Sequence, residues 1–172
     1  MKTLYLLRHA KADAGSKELS DRNRPLSARG QEACVAIGEY MKKHSYSPAL
    51  VLTSPSLRTV DTSIRVRDAA DIHAPERQID KLYLATADEI LHYIRLVSDK
   101  LPSAMVVGHN PGMHHSALDL AKPERTQLRR ELELKYPTGT LTVLHFDIQH
   151  WHDLAKGKGD IIDFASPQGL KD

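Results

Sequence analysis

Thr3-Leu4-Tyr5-Leu6-Leu7-Arg8-His9-Ala10 decides how the rest of the chain is read. Leu4 to Leu7 are four consecutive apolar residues of aromatic and branched character, the pattern of a strand buried on both faces of a sheet. The run stops abruptly on Arg8-His9. In open α/β sheets ligands gather in the crevice outside the carboxyl ends of the strands, so a cationic pair at such a strand end marks a candidate site. Alone, the dipeptide is common enough to read first as a solvated strand end. Two later stretches repeat the pattern.

Ala49-Leu50-Val51-Leu52-Thr53 reads as a second buried strand, followed by Ser54 as a helix cap, Pro55 at the first helical position and Arg58 in the first turn. The third buried strand, Ala104-Met105-Val106-Val107, runs into Gly108-His109-Asn110-Pro111. There Asn110 caps a helix starting at Pro111, with its free amides aimed at the same edge.

Between these strands, helical spacing begins after Ser27 with Ala33, Ile37, Tyr40 and Met41 on one face. Thr86-Ala87-Asp88-Glu89 has the spacing of a capping box ahead of Ile90, Leu91, Ile94 and Val97. Lys11 to Pro25 lacks apolar periodicity and reads as a long loop, carrying Asp21, Arg22 and Arg24. Gln78 to Tyr83 is expected to hold a short strand, Leu141 to Phe146 another. A terminal hairpin is expected around Gly157-Lys158-Gly159, joining Trp151–Leu154 to Ile161–Phe164. The sum is a layered α/β fold, a mainly parallel sheet with helices on both faces, forming one domain over residues 1–172.

A length of 172 residues with 41% apolar and 27% charged content is that of an ordinary globular chain. The net charge of +2 and the lack of a long Lys/Arg run argue against nucleic acid or an anionic membrane as the main partner. Cys34 is the one cysteine, so no internal disulfide forms, and no apolar stretch has the length of a signal peptide or a membrane span. The expected location is the cytoplasm.

Arg8 and His9 from the first strand, Arg58 after the second and His109 after the third thus meet at one edge. Two guanidinium forks, two imidazoles and a helix N-terminus suit a tetrahedral dianion; the arginines would repel a metal cation. The expected ligand is a phosphoryl group, whose charge in transfer calls for fixed positive partners. The pairs His114-His115 and His150-x-His152 have no Asp, Glu or Cys at the spacing of a known metal site, and no metal or cofactor is expected.

Leu-Leu-Arg8-His9-Ala10, Ser54-Pro55-Ser56-Leu57-Arg58 with Thr62, and Gly108-His109-Asn110-Pro111, in that order, resemble the histidine phosphatase superfamily, which includes the cofactor-dependent phosphoglycerate mutases. The short length, Arg24-Pro25-Leu26-Ser27 leading to Arg29-Gly30, the Leu82-Tyr83-x-Ala85 run and Pro137-Thr138-Gly139 resemble its SixA-type branch. Ala10 stands where the superfamily usually has Gly. The resemblance implies a phosphoglycerate-mutase-like fold and a phosphohistidine enzyme intermediate on His9. Arg8, Arg58 and His109 would be the phosphate pocket and catalytic partners, with Asn110 and Arg24 as further substrate contacts.

Enzymes of this superfamily that cleave phosphate esters commonly place a Glu or Asp general acid after the third structural strand, because an alkoxide must be protonated as it leaves. Lys81-Leu82-Tyr83-Leu84-Ala85 has no carboxylate there; Asp80 flanks it, and Asp21 of the first loop is the other candidate acid. Phosphohistidine leaves as neutral imidazole once its ring is protonated, near the ordinary value of about 6.5. The expected partner is therefore a phosphohistidine-carrying protein domain. The rivals are a phosphatase for a small phosphorylated metabolite, with Asp21 or Asp80 as acid, and a catalytically silent module that binds a phospho-ligand. The long first loop and Asp119 to Arg130 are expected to form the rim of the site.

Overall fold

The computed structural model describes residues Met1–Asp172. Strand β1 (Lys2–Arg8) lies inside the sheet, and its alternation explains the two layers around it. Leu4 and Leu6 point into a core closed by α3 (Ala87–Arg95), α4 (Gly112–Leu120) and α5 (Gln127–Leu134). Tyr5 and Leu7 point into a second core with Cys34, Ile37 and Met41 of α1 (Ala28–Lys43) and Val66 and Ala70 of α2 (Leu57–Ala70). Successive residues of a strand face opposite sides, so a continuous apolar run serves both layers.

The remaining strands are β2 (Val51–Thr53), β3 (Glu76–Gln78), β4 (Ser103–Gly108), β5 (Leu141–Phe146) and β6 (Asp160–Ala165). The sheet order is β3-β2-β4-β1-β5-β6. The first four are parallel; β5 runs antiparallel to β1, and β6 antiparallel to β5. This is the expected mainly parallel, layered α/β arrangement of phosphoglycerate-mutase-like folds. All four parallel strands end at one edge, and each end delivers a loop or a helix start there.

Several boundaries differ from the sequence reading. The α2 cap is Ser56, whose hydroxyl accepts the Thr59 amide, because Ser54 is drawn to another partner described below. The short strand lies at Glu76–Gln78; Asp80–Leu82 instead make a 3-10 turn, since β2 is only three residues long and pairing ends with it. The terminal hairpin joins β5 and β6, while Trp151–Asp153 turn as a 3-10 segment around the fully buried Trp151. The helix after β4 begins at Gly112, with Pro111 in the cap position. The capping box of Thr86 and Glu89 forms as read.

The segment after His9 is pinned to the start of α1. Lys11 O accepts the Ser27 amide at 2.9 Å and the Ser27 hydroxyl at 3.1 Å. A Cβ on Gly30 would stand 2.0 Å from the same oxygen, so only glycine allows this approach.

Candidate active site

Parallel pairing sets Arg8 opposite Gly108, and the His9 amide donates to Gly108 O at 3.0 Å. His9 and His109 therefore leave adjacent strand ends, with ring centroids 5.3 Å apart. Ser54 follows β2 in the same row, its amide bonded to Val107 O at 3.1 Å, and α2 starts just beyond it. Arg58 in the first turn of α2 is 3% exposed, and His109 is 2% exposed.

One ring contact defines the state of His9. Its Nδ1 stands 2.7 Å from Ala10 O, an acceptor, so the ring proton sits on Nδ1 and Nε2 is left as a bare lone pair. Burial first, then the Arg58, Arg8 and Arg24 charges, push its pKa down to about 4 against the opposing pull of the Ala10 carbonyl. His9 is neutral at pH 7.

His109 is neutral as well. Its Nδ1 lies 3.3 Å from Arg58 Nη2, which only donates, so Nδ1 accepts and Nε2–H donates to Ser54 Oγ at 2.7 Å. Burial, followed by the His9 and Arg58 neighbours, holds its pKa down to about 3. The resting ring thus orients Arg58 and carries no charge of its own.

The guanidinium groups are held by backbone oxygens. Arg8 Nη1 donates to Tyr136 O at 2.7 Å, while its buried Nε has no partner in the protein. Arg58 Nη1 donates to Asp21 O at 2.7 Å. Thr62 ties these pieces together: its hydroxyl donates to Arg58 O at 2.7 Å and accepts the Ala10 amide at 3.0 Å. The residue after His9 and the helix turn behind Arg58 are one hydrogen-bonded unit.

Asp21 is drawn into the cluster from the first loop. Its carboxylate accepts from Arg58 Nη2 at 3.0 Å, from Arg24 Nη1 at 3.0 Å, and from the Tyr83 hydroxyl. The Tyr83 bond first, then those of Arg24 and Arg58, hold its carboxyl well below the usual carboxylate range. Tyr83 packs edge-on against the His109 ring at 5.4 Å, and the Arg22 guanidinium lies over the Tyr83 ring at 4.6 Å.

The fold brings Arg8, His9, Arg58, His109, Arg24 and Asp21 together. Asp80 stays exposed on its 3-10 turn and makes no hydrogen bond or ion pair with them, because the turn after β3 carries its side chain to solvent. Asn110 is engaged at both ends: Nδ2 donates to Tyr136 O at 3.0 Å and Oδ1 accepts the His114 amide at 3.3 Å. Of the expected free helix amides, that of Met113 is taken by His109 O and that of His115 by Pro111 O, each at 2.9 Å. The first loop reaches the site through Asp21 and Arg24. Asp119 and Arg129 bond instead to Lys156, Glu133 and the carbonyls of Leu118 and Ala121. Ser54 stands in the motif before Arg58 but holds His109 rather than capping the helix, Tyr83 lies inside the Leu82-Tyr83-x-Ala85 run, and nothing local marks the Tyr136 carbonyl.

A neutral imidazole with a free Nε2 near the arginine charges, at the carboxyl edge of a parallel sheet, is an arrangement that suits a phosphoryl group. Residues 4–82 match the profile of the histidine phosphatase superfamily (branch 1). Over 96% of its length the chain is similar to a candidate phosphohistidine phosphatase SixA from Agrobacterium tumefaciens, covering 98% of that chain with 28% identity and a TM-score of 0.82. A candidate phosphohistidine phosphatase SixA from Nakamurella multipartitia is similar over 96% of both chains, with 29% identity and a TM-score of 0.84. An uncharacterised protein of Mycobacterium tuberculosis is 29% identical over 164 residues, 94% of this chain and 100% of that one. Over residues 4–82 the chain resembles the histidine phosphatase superfamily, and over nearly its whole length it is similar in fold and sequence to these SixA structures. No helix is long and apolar enough to cross a membrane.

Proposed function

We propose that the protein hydrolyses phosphohistidine on a partner protein, through a covalent phosphoryl intermediate on His9. The observation that carries the reading is the His9 ring: neutral, with Nδ1–H held by Ala10 O and Nε2 free beside Arg8 and Arg58. Nε2 attacks phosphorus as the substrate P–N bond breaks and its electron pair returns to the departing imidazole. Arg8 and Arg58 hold the equatorial oxygens, the unpartnered Arg8 Nε being a donor without another use. His109 steers Arg58 and, beside a phosphoryl dianion, gains a proton more readily than in the resting site. Water then attacks phosphorus, the P–Nε2 pair returns to His9, and phosphate leaves. Arg24 guards the rim, and Asn110 is a positioning residue, fixing the Tyr136 carbonyl that also holds Arg8.

The preference for a P–N bond rests on Asp21. Held as a carboxylate by Arg58, Arg24 and Tyr83, it has no proton to give an alkoxide at neutral pH. The imidazole of phosphohistidine brings its own.

The test compares wild type with His9→Ala on a phosphohistidine-carrying protein and on an aryl phosphate, without added metal. Phosphohistidine turnover that vanishes in the variant is expected. Much faster cleavage of an unactivated phosphate monoester would overturn the substrate assignment in favour of a metabolite phosphatase. Phosphate binding without turnover of either would leave a binding module.

A further inference from the structure

At the opposite end of the sheet from His9, where β1 begins, two chain segments distant in sequence place three metal-ligating side chains together. Asp99, before β4, and His150 and His152, after β5, offer ligand atoms that all lie within 4.8 Å of one another, and all three residues are exposed. The sequence brought the two histidines within a residue of each other, but Asp99 lies 51 residues before His150 and joins them only through the fold.

We propose that Asp99, His150 and His152 bind one divalent transition-metal ion of the zinc class. Two imidazoles and one carboxylate match the donors of such ions, whereas Ca²⁺ and Mg²⁺ take oxygen ligands almost alone. The backbone under the site is fixed. Trp151, between the histidines, is fully buried and its indole Nε1–H donates to Leu101 O at 3.0 Å. Its amide donates to Asp99 Oδ1 at 2.7 Å, locking the two segments together. The Lys2 ammonium is taken up by the main-chain oxygens of Asp99 and Leu101 at 2.6 and 2.9 Å.

Side-chain partners complete the arrangement. The His150 and His152 rings stack at 5.3 Å with planes 24° apart. His150 Nδ1 lies 3.0 Å from Asp99 Oδ2, so the proton between them is the one a cation replaces. His152 Nε2 lies 3.2 Å from Asp153 Oδ1, a carboxylate that orients the ring and leaves its other nitrogen to the metal. The remaining coordination positions face solvent, which gives the ion an entry path. An ion there would clip the connection before β4 to the connection after β5.

Zinc binding by the untagged chain is measured by competition with a chromophoric chelator, alongside thermal unfolding. One zinc per chain and a raised unfolding midpoint are expected. The double variant His150→Ala/His152→Ala should lose more than about 100-fold in affinity along with the midpoint shift, and Asp153→Asn about 10-fold. His9→Ala should bind zinc as wild type does. Both histidines are exposed, so the double variant is expected to keep its chelator-treated midpoint. Absence of zinc binding, or binding unchanged in the double variant and lost in His9→Ala, overturns the proposal and leaves the phosphatase reading untouched.

Discussion

Lowering the pH from 7 to 5 should weaken the fold through its two active-site imidazoles. His9 and His109 have folded pKa values of about 4 and about 3, against an ordinary value of about 6.5 in the unfolded chain. Their folded values are depressed, so between these limits the unfolded chain binds more protons, and stability falls as pH falls. The contribution is fully present above pH 6.5 or so and drains away down to the folded values. At pH 5 neither ring is protonated in the fold, and each costs about 2 kcal/mol, since 1.5 pH steps at about 1.36 kcal/mol each separate pH 5 from 6.5. Together they remove about 4 kcal/mol, a large share of the ~5–15 kcal/mol typical of a folded domain. Urea unfolding at pH 7 and pH 5 measures the sum; His9→Ala and His109→Gln should each halve the pH sensitivity. Ring C–H resonances of the two histidines should not titrate above pH 5. A His9 midpoint near 6.5 would refute the reasoning and, with it, a nucleophile that is neutral by design of its surroundings.

Thr62→Val removes one donor and one acceptor, orphaning the buried Ala10 amide, and should cost about 1–3 kcal/mol in urea unfolding and lower turnover as the His9 and Arg58 segments come apart. Gly30→Ala forces a Cβ against Lys11 O and should cost more than about 2 kcal/mol by the same assay; an unchanged midpoint would mean that α1 slides freely. Asp21→Asn should slow phosphohistidine hydrolysis by less than about 10-fold without a selective effect on aryl phosphate; a selective loss on the ester above about 100-fold would restore Asp21 as general acid. In Tyr83→Phe, Asp21 loses its strongest hydrogen bond, and loop motion around the carboxylate should rise in amide exchange.

The strands were readable because burial on two faces forces unbroken apolar runs, and Leu4–Leu7 and Ala104–Val107 are such runs. Arg8, His9, Arg58 and His109 were readable for a related reason: parallel strands must end at one edge, so chain order alone gathers whatever follows them. Caps one or two residues downstream of their expected places show where local propensity yields to tertiary partners. Ser54 has every quality of an N-cap, yet its hydroxyl is bound to His109 and the cap falls to Ser56. The Tyr83 clamp and the Asp99 contact with His150 are pairings across 62 and 51 residues, set by how elements dock and carried by no local pattern.

The charge of Asp21 links site geometry to substrate class. A general acid needs a site that favours its protonated form, which means burial without cations nearby. Asp21 has the reverse: a half-exposed carboxylate with two guanidinium groups at 3.0 Å and a phenol donating to it. The same contacts place a negative charge against Arg58, on donors that an incoming phosphoryl group would also use. That competition is tolerable where the leaving group needs no protein proton, and the carboxylate then serves to keep Arg58 extended toward His109 until substrate takes over the guanidinium. In an ester phosphatase the same ionised carboxylate would offer no proton to the departing alkoxide. The clamp on Asp21 is the contact on which the proposed preference for a P–N bond stands or falls.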